Sequence, residues 1–370
     1  MLYLDHAGSA LVNPEIAQRY PDTCRQFPIN PHGGTRQAER CRRAALDAAR
    51  RLLGCLNAPE EQADVIWTSG GTEALNLAIR QVQPPQPLQA IAADAAAHPA
   101  MLASAQERAE REHLPLHLIS PLQPQDWEHL PPRTLACVCH ANNETGAILN
   151  PQDIRRRLHR DAILVLDAAQ SLGRLPLDFR TLGADLISLS SRKIGGPAPI
   201  GALIVRKPIR LLPLILGGGQ QRGLRSGTLD VVGTVLFADA AQLACNALQP
   251  HTAAIRQLAD RLWHGLDALA ARHPHVRISP PDALPAIASF ALPGFEGAVI
   301  KRLLAENHDI VIGTGSACSA ETGHTSHVLK AMGLPDDIAR AALRVSFSHD
   351  NSPDDIDTLL DALAHTLDDY

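Results

Sequence analysis

Short apolar runs alternate with segments of helical period over residues 64–205, and this alternation constrains the fold more than any other feature of the sequence. The runs that predict strands are VIWTS (65–69), QAIAA (89–93), LHLI (116–119), LACVCH (135–140), AILVLD (162–167), DLISLS (185–190) and GALIV (201–205). Predicted helices between them include EALNLAIRQ (73–81), PAMLASAQERAERE (99–112) and PQDIRRRLHR (151–160). Strands that alternate with helices form mostly parallel sheets. The sequence therefore predicts an α/β fold with a doubly wound sheet.

The organisation changes at LLPLILGGGQQRGLRSGT (211–228), which is rich in Gly and Arg. A long helical pattern then runs to about Arg272, and the strand-like ASFALPG, the helical VIKRLLAE, the segment GTGSACSAETG and the strand-like LRVSFS follow. A chain of 370 residues has room for two or three domains. We expect a large domain over residues 15–245 and a smaller α+β domain over residues 246–370, to which residues 1–14 contribute.

Composition excludes several classes of partner. There are 34 Lys and Arg against 39 Asp and Glu, which gives a formal charge of −5, and aromatic residues make up only 3%. Such a chain has neither a net attraction for polyanions nor many side chains for base stacking, so neither nucleic acid nor a membrane is an expected partner. The start, MLYLDHAGSA, lacks the pattern of a secretory signal, and no apolar run approaches the roughly 18 residues of a spanning helix. We expect a cytoplasmic protein.

The seven cysteines are scattered and odd in number, which favours reduced thiols over a disulfide framework. Cys137 and Cys139 lie two residues apart in an apolar run, and on a strand they would share one face. Their spacing is not that of a zinc site, so no metal is expected.

A phosphate site is one interpretation of SGGTE (69–73), where the first strand VIWTS runs into a helix. Small residues let backbone N–H groups approach a ligand, and the unpaired amides at a helix start attract anions. A Gly-rich turn with an ordinary helix cap explains the same residues equally well.

Three neighbouring strands end in polar side chains that suit one cofactor. LACVCH ends in ANNETG, AILVLD ends at Asp167 with Gln170 close behind, and DLISLS is followed by Lys193. Taken singly, Asp167 is a typical helix cap and Lys193 a typical solvated charge. Together with a phosphate site they supply an amine for a Schiff base, a carboxylate for a pyridine nitrogen and a phosphate anchor, which is the set that pyridoxal phosphate requires.

The order of these motifs resembles that of the cysteine desulfurases in the class V, fold-type I group of pyridoxal phosphate enzymes. The resemblance covers essentially the whole chain, through YLD, SGGTEALNLAI, HANNETG, LDAAQSLGRLPLD, SSRKIGGP, IGALIV, GGGQQRGLRSGT, TGSACSA and LRVSFS. It implies a fold-type I architecture, with a large doubly wound domain and a smaller α+β domain. It also implies conversion of L-cysteine to L-alanine, with transfer of the sulfur to an acceptor protein or small molecule.

The resemblance implies roles for individual residues around the cofactor. Lys193 would form the Schiff base and move protons, Asp167 would pair with the pyridinium nitrogen, and Gln170 would bond the ring hydroxyl. His98 would stack on the ring and assist acid–base steps, although a partly buried histidine at a helix start is the plain alternative. The residues implied to hold the phosphate are Gly71, Thr72, Ser190, Arg192 and, from the neighbouring subunit of a homodimer, Thr228.

The resemblance also assigns the substrate and the nucleophile. Asn142 and Arg344 would bind the substrate carboxylate, a role that suits the planar fork of arginine. Cys318 would attack the substrate sulfur and carry a persulfide. A free thiol is only a few per cent ionised at neutral pH, so some activation is expected. His324 and His327 are candidates for it, although surface loop positions are the favoured interpretation of both.

The chain departs from the family pattern at four places. Arg192 stands where the family has histidine before the lysine, and Ala198 and Pro199 follow the GP pair where a lysine is usual. The N-terminal segment reads AGSAL where the family has an ATTP-like sequence, and NPHGGT (30–35) is shorter than the NPSS-like stretch of the family. The chain also ends at Tyr370, whereas housekeeping relatives continue into a docking tail. These departures indicate a specialised rather than a housekeeping member of the family, and the sequence does not identify its sulfur acceptor.

Two other functions fit the same residues. Another lyase that uses pyridoxal phosphate on a cysteine derivative or selenocysteine would share the cofactor residues without needing Cys318. A catalytically silent interaction subunit is the second alternative, and the presence of Lys193, Asp167, His98 and Arg344 disfavours it.

Overall fold

The computed structural model describes residues 1–315 and 325–370, and its largest element there is a seven-stranded sheet. The strands in these ranges are β1 (Leu2–Leu4), β2 (Ala63–Thr68), β3 (Val82–Gln83), β4 (Ala90–Asp94), β5 (Leu116–Ile119), β6 (Thr134–Cys139), β7 (Ile163–Asp167), β8 (Leu186–Ser190), β9 (Gly201–Arg206), β10 (Arg210–Leu211), β11 (Val276–Arg277), β12 (Ile287–Ala291), β13 (Ile310–Thr314) and β14 (Ala342–Ser346). The α-helices in the same ranges are α1 (Pro14–Gln26), α2 (Arg36–Gly54), α3 (Gly71–Gln81), α4 (Pro99–Glu112), α5 (Pro151–Arg157), α6 (Phe179–Leu182), α7 (Val231–Asn246), α8 (Leu248–Leu269), α9 (Gly297–His308), α10 (His327–Ala331), α11 (Asp336–Arg340) and α12 (Pro353–Asp368).

The large sheet has the strand order β2-β9-β8-β7-β6-β4-β5. Strands β8, β7, β6, β4 and β5 are parallel to their neighbours in that order, whereas β9 runs antiparallel to both β8 and β2. The predicted mostly parallel, doubly wound sheet is therefore confirmed. The strand order reverses between β4 and β6, and ligands of open α/β sheets bind beyond the carboxyl ends of the strands at such a point.

Both faces of this sheet are covered, which explains why its strands are continuously apolar. Ala136 and Val138 on β6 pack in the core cluster that includes α2 and α7. Cys137 and Cys139 pack together in the opposite cluster, with α3 and α4. The prediction that these two cysteines share one face is confirmed.

A second sheet of five strands, in the order β1-β13-β14-β12-β11, is built mainly from the last hundred residues. Its edge strand β1 pairs parallel with β13, so the first residues of the chain belong to this sheet. Residues of α8, α9 and α12 pack on it in a separate core cluster. The domain boundaries at residues 15 and 245 stay a prediction.

Two predicted helices differ in length from the observed ones. The helix expected over residues 151–160 ends at Arg157, where the Arg155 guanidinium binds the carbonyls of His159 and Ala162 and the chain turns. The helical region expected to run to Arg272 is broken at Ala247. Pro250 explains the break, because its ring has no N–H and collides with the carbonyl four residues earlier.

Membrane-spanning criteria are met by no single helix of the described ranges. The pair α7 and α8 meets them only when its two members are taken together across a bend of 70°.

Candidate active site

A cavity of about 270 Å³ lies where β7 and β8 end and α3 begins. Seven residues that the sequence singled out line it together: Gly71, Thr72, His98, Asp167, Ser190, Arg192 and Lys193. Ala198 and Pro199, at one of the departures from the family pattern, also line the cavity. The structure thus brings the expected amine, carboxylate and phosphate residues to one place.

The turn before α3 is shaped for close approach of a ligand to the backbone. Gly70 has φ +154° and ψ 179°, a conformation open to little but glycine. The Thr68 hydroxyl donates to the Gly70 carbonyl over 2.9 Å. Within the described ranges no side chain caps the first turn of α3, so its first amide groups lack a side-chain partner at the positive end of the helix dipole, and Gly71 and Thr72 of this turn line the cavity. This arrangement suits a phosphate group.

An ion pair connects the segment RSGT (225–228) to residues 69–73, the turn that leads into α3, which we call the phosphate turn. Arg225 donates to both oxygens of Glu73, over 2.8 and 3.2 Å, and Glu73 also accepts from the Ser69 backbone N–H over 2.7 Å. Thr228 is exposed and is not among the described residues that line the cavity of its own chain. Its expected contribution to a neighbouring subunit stays a prediction.

Lys193 lies in a single turn of 3₁₀ helix directly after β8. Its Nζ donates to the carbonyls of Ala7 and Gly8, each over 2.7 Å. Burial lowers the pKa of the Lys193 amine to about 8, and the nearby Arg192, Arg174 and Arg344 act in the same direction. A larger fraction of the amine is therefore neutral near pH 7 than in an exposed lysine, as attack on an aldehyde requires.

Asp167 ends β7 and lines the same cavity as Lys193. Its Oδ1 accepts from the Ala169 backbone N–H over 3.0 Å. Burial raises the pKa of Asp167 to about 6, against the Ala169 hydrogen bond and the Lys193 charge. A carboxylate that is this poorly solvated favours a cationic N–H partner.

Gln170 lies three residues beyond Asp167 and is held by groups that sequence reasoning missed. Its Nε2 donates to the Ala7 carbonyl over 2.9 Å, and its Oε1 accepts from the Arg174 guanidinium. Arg174 also donates to the Lys193 carbonyl over 2.9 Å. Gln170 is not among the described residues that line the cavity, so its expected contact with a ring hydroxyl stays a prediction.

His98 caps the start of α4, which is where the sequence placed it. The Ala100 backbone N–H donates to its Nδ1 over 3.1 Å, so the ring proton is on Nε2. Burial lowers the pKa of His98, and Lys193 and His327 lower it further. His98 is consequently neutral near pH 7, with one N–H that the helix cap leaves available.

Asn142 and Arg344 lie close together but outside the cavity lining. The Asn142 Nδ2 donates to the Ala96 carbonyl over 2.8 Å, which ties the loop after β6 to the loop after β4. Arg344, on β14, is 2% exposed and donates to Asn143 O over 2.8 Å and to Asp5 Oδ1 over 2.6 Å. Its Nε is buried without a hydrogen-bond partner among the described residues. Such an orphaned donor fits a carboxylate ligand.

Cys318 and His324 lie outside the described residues, 1–315 and 325–370, so their predicted roles stay predictions. His327 begins α10 and is half-buried, and its Nε2 lies 2.9 Å from the Ala97 carbonyl. The interpretation of His327 as a surface loop residue is therefore wrong, because the ring is held against the loop that carries His98.

Comparison with known proteins finds relatives that match nearly the whole chain. The family model of class V aminotransferases matches residues 2–359. A Cereibacter sphaeroides protein named cysteine desulfurase is 35% identical, over 99% of this chain and 96% of its own. A solved NifS-like protein superimposes with a TM-score of 0.90 at 25% identity, with 100% of both chains covered. A structure named SspA in complex with cysteine is 27% identical, with a TM-score of 0.79, over 94% of this chain and 99% of that one.

Proposed function

We infer the reaction from the family: this chain belongs to the class V aminotransferase family and is a cysteine desulfurase. We propose that it binds pyridoxal phosphate and L-cysteine, releases L-alanine and leaves a persulfide on Cys318 for a sulfur acceptor. The observation that carries the proposal is the convergence of Lys193, Asp167, His98 and the phosphate turn on one cavity.

The residues of the cavity fit pyridoxal phosphate. The uncapped start of α3 accommodates the phosphate, with Thr72, Ser190 and Arg192 beside it. Asp167 supplies a buried carboxylate for the ring nitrogen, and Lys193 supplies the amine for the aldehyde. When bound, the group delocalises the negative charge that develops on the substrate carbon after proton loss.

The basic groups of the chain handle protons and the substrate carboxylate. Lys193, whose pKa is lowered to about 8, takes the α proton and returns a proton at the β carbon. Neutral His98 offers its Nε2 proton and remains uncharged beside Lys193. In this proposal Arg344 and Asn142 bind the substrate carboxylate, and the Asn142 Nδ2 also ties its loop to the Ala96 carbonyl.

The sulfur transfer is a balanced displacement. The Cys318 thiolate attacks the sulfur of L-cysteine, so an S–S bond forms as the bond between Cβ and sulfur breaks. The electron pair of the broken bond stays with the carbon skeleton, which takes up a proton and leaves as alanine. The enzyme keeps a persulfide, and no external oxidant is needed.

The test is alanine formation from L-cysteine, with a thiol acceptor present, by the Cys318→Ala variant. We expect a loss of at least a hundredfold with the visible band of the bound cofactor intact. Cys24→Ala is the matched control, because Cys24 is a half-buried thiol on α1 and should leave the rate unchanged. Undiminished turnover by Cys318→Ala would instead identify a lyase that does not use this thiol.

A further inference from the structure

Glu144 is a buried carboxyl group that has no role in the reaction as described so far. It lies in the loop ANNETG after β6, is 4% exposed and does not line the cavity. The Ser326 hydroxyl donates to its Oε2 over 2.5 Å. Burying a carboxyl group is costly, so a position of this kind calls for a reason.

Both ends of the segment that carries Cys318 meet at this carboxyl group. The described residues stop at Gly315 and resume at Thr325, next to Ser326. A Cβ on Gly315 would lie 3.4 Å from Glu144 Oε2 and 3.0 Å from a methyl group of Leu329. Glu144 thus lies beside the last residue before the segment and bonds the second residue after it.

Ser326 transmits the position of Glu144 to α10. Its Oγ accepts from the backbone N–H groups of Val328 and Leu329, at 3.1 and 3.3 Å, and its single hydroxyl proton is the one given to Glu144. The start of α10 is therefore fixed with respect to the loop after β6. His327 adds a second link through its contact with Ala97 O, beside His98.

Glu144 is itself held in the substrate region. Its backbone N–H donates to Asn142 Oδ1 over 2.8 Å, and Asn142 is bonded to the Ala96 carbonyl. Burial raises the pKa of Glu144 to about 7, opposed by the Ser326 hydrogen bond and by Arg344, the charged group from β14 that acts on it. Arg344 is paired with Asp5, which balances part of its charge.

We propose that Glu144 is a positioning residue for sulfur transfer, which holds the end of the Cys318 segment beside the loops of Asn142 and His98 through Ser326. This inference rests on the proposed function, because it requires Cys318 to attack a substrate bound at those loops. It separates two halves of the reaction. Cofactor and cysteine binding use residues outside this link, whereas the attack by Cys318 depends on it.

The experiment measures the two halves separately in Glu144→Ala. We expect the visible band of the bound cofactor and its change on adding cysteine to keep their wild-type size and half-saturation within about threefold. Alanine formation should fall at least tenfold. Ser326→Ala should produce the same fall, and the double variant no further loss, since the two residues act as one unit. Thr325→Ala, one residue earlier, should keep the wild-type rate.

Glu144→Gln keeps a hydrogen-bond acceptor for Ser326 and removes the ionisation. Its rate should recover to within about threefold of wild type near pH 6. The wild-type rate divided by the Glu144→Gln rate should rise with pH through about 7, as the wild-type carboxyl group ionises and binds Ser326 more strongly. This variant also keeps the test open if Glu144→Ala does not fold.

Wild-type alanine formation in Glu144→Ala would overturn the proposal, as would an equal loss of cofactor, cysteine response and turnover, which indicates a purely structural role. A rate ratio for Glu144→Gln that does not change with pH would also contradict it. These outcomes differ from failure of the proposed function, which is turnover by Cys318→Ala.

Discussion

The carboxyl group of Asp167 is buried, since the residue is only 8% exposed to solvent. Burial raises its pKa to about 6, from a usual value of 3.8. The ionised Asp167 carboxylate therefore lowers the free energy of unfolding of the cofactor-free protein. The sign follows from proton binding: between pH 4 and 6 the folded protein holds a proton that the unfolded chain has released. The cost to folding is therefore present in full above about pH 6, decreases as the pH falls from 6 to 4, and is absent below about pH 4.

Asp167→Asn should consequently stabilise the cofactor-free protein while weakening its function. At pH 7 we expect the free energy of unfolding to rise by about 1–3 kcal/mol, on the basis of roughly 1.4 kcal/mol per pKa unit. Urea denaturation at pH 7 and pH 4 measures the difference, which should shrink at the lower pH. Cofactor affinity and alanine formation should fall in the same variant. Equal stability of variant and wild type at pH 7 would contradict the burial argument.

The sequence predicted the positions of those site residues that lie at the end of a strand or the start of a helix. Asp167 follows a predicted strand, and His98 starts a predicted helix, so position and chemistry coincide. Their partners were not predictable, because they come from distant parts of the chain. Lys193 bonds the Ala7 carbonyl 186 residues earlier, and Ser326 bonds Glu144 across 182 residues. Nothing in local pattern or periodicity reports such contacts.

At the scale of elements, the apolar runs predicted the strands of the large sheet but not the direction of every strand. GALIV forms β9, and β9 is antiparallel to β8 because residues 191–200 contain no crossover α-helix that could return the chain to the end of the sheet where β8 begins. This arrangement serves the site. It places the start of β9 directly behind the phosphate turn, where Gly201 touches Gly70.

Gly201→Ala tests that contact between elements. A Cβ there would lie 2.5 Å from the Gly70 carbonyl carbon and 2.8 Å from the Leu189 carbonyl oxygen, and both are backbone atoms that cannot rotate away. The phosphate turn must shift, so we expect retention of the cofactor after dialysis to fall at least tenfold, as measured by the visible band per chain. Gly54→Ala, whose Cβ would have no atom of the described residues within 4 Å, should retain the cofactor normally. Full retention by Gly201→Ala would show that the turn tolerates the shift.

At the scale of the whole molecule, the candidate site draws on both sheets. The cavity belongs to the large sheet, whereas Arg344 comes from the small one. The loop after β6 joins them: Thr145 O accepts from Ser279 Oγ over 2.7 Å, and Gly146 O accepts from the Leu284 N–H over 2.8 Å. The sequence predicted two domains, but not this joint, since it depends on how two separately predicted cores meet.

Gly146 lies at this joint with φ +72°, and a Cβ on it would be 3.1 Å from the Ile287 carbonyl oxygen of the small sheet. Gly294 offers a matched control, because its φ is +91° but its Cβ would meet nothing within 4 Å in the described part of the chain. Both alanine variants bear the cost of a positive φ, on the order of 1 kcal/mol in unfolding free energy, but only Gly146→Ala also pushes the sheets apart.

We therefore expect Gly146→Ala to raise the KM for cysteine several-fold more than Gly294→Ala does, with the visible band of the bound cofactor unchanged in both. The cofactor residues lie on one side of the joint and Arg344 on the other, so a shift between the sheets affects the substrate carboxylate before it affects the cofactor. Steady-state alanine formation over a range of cysteine concentrations provides the comparison. If the two variants have the same KM, backbone strain alone accounts for the effect, and the joint between the sheets does not control substrate binding.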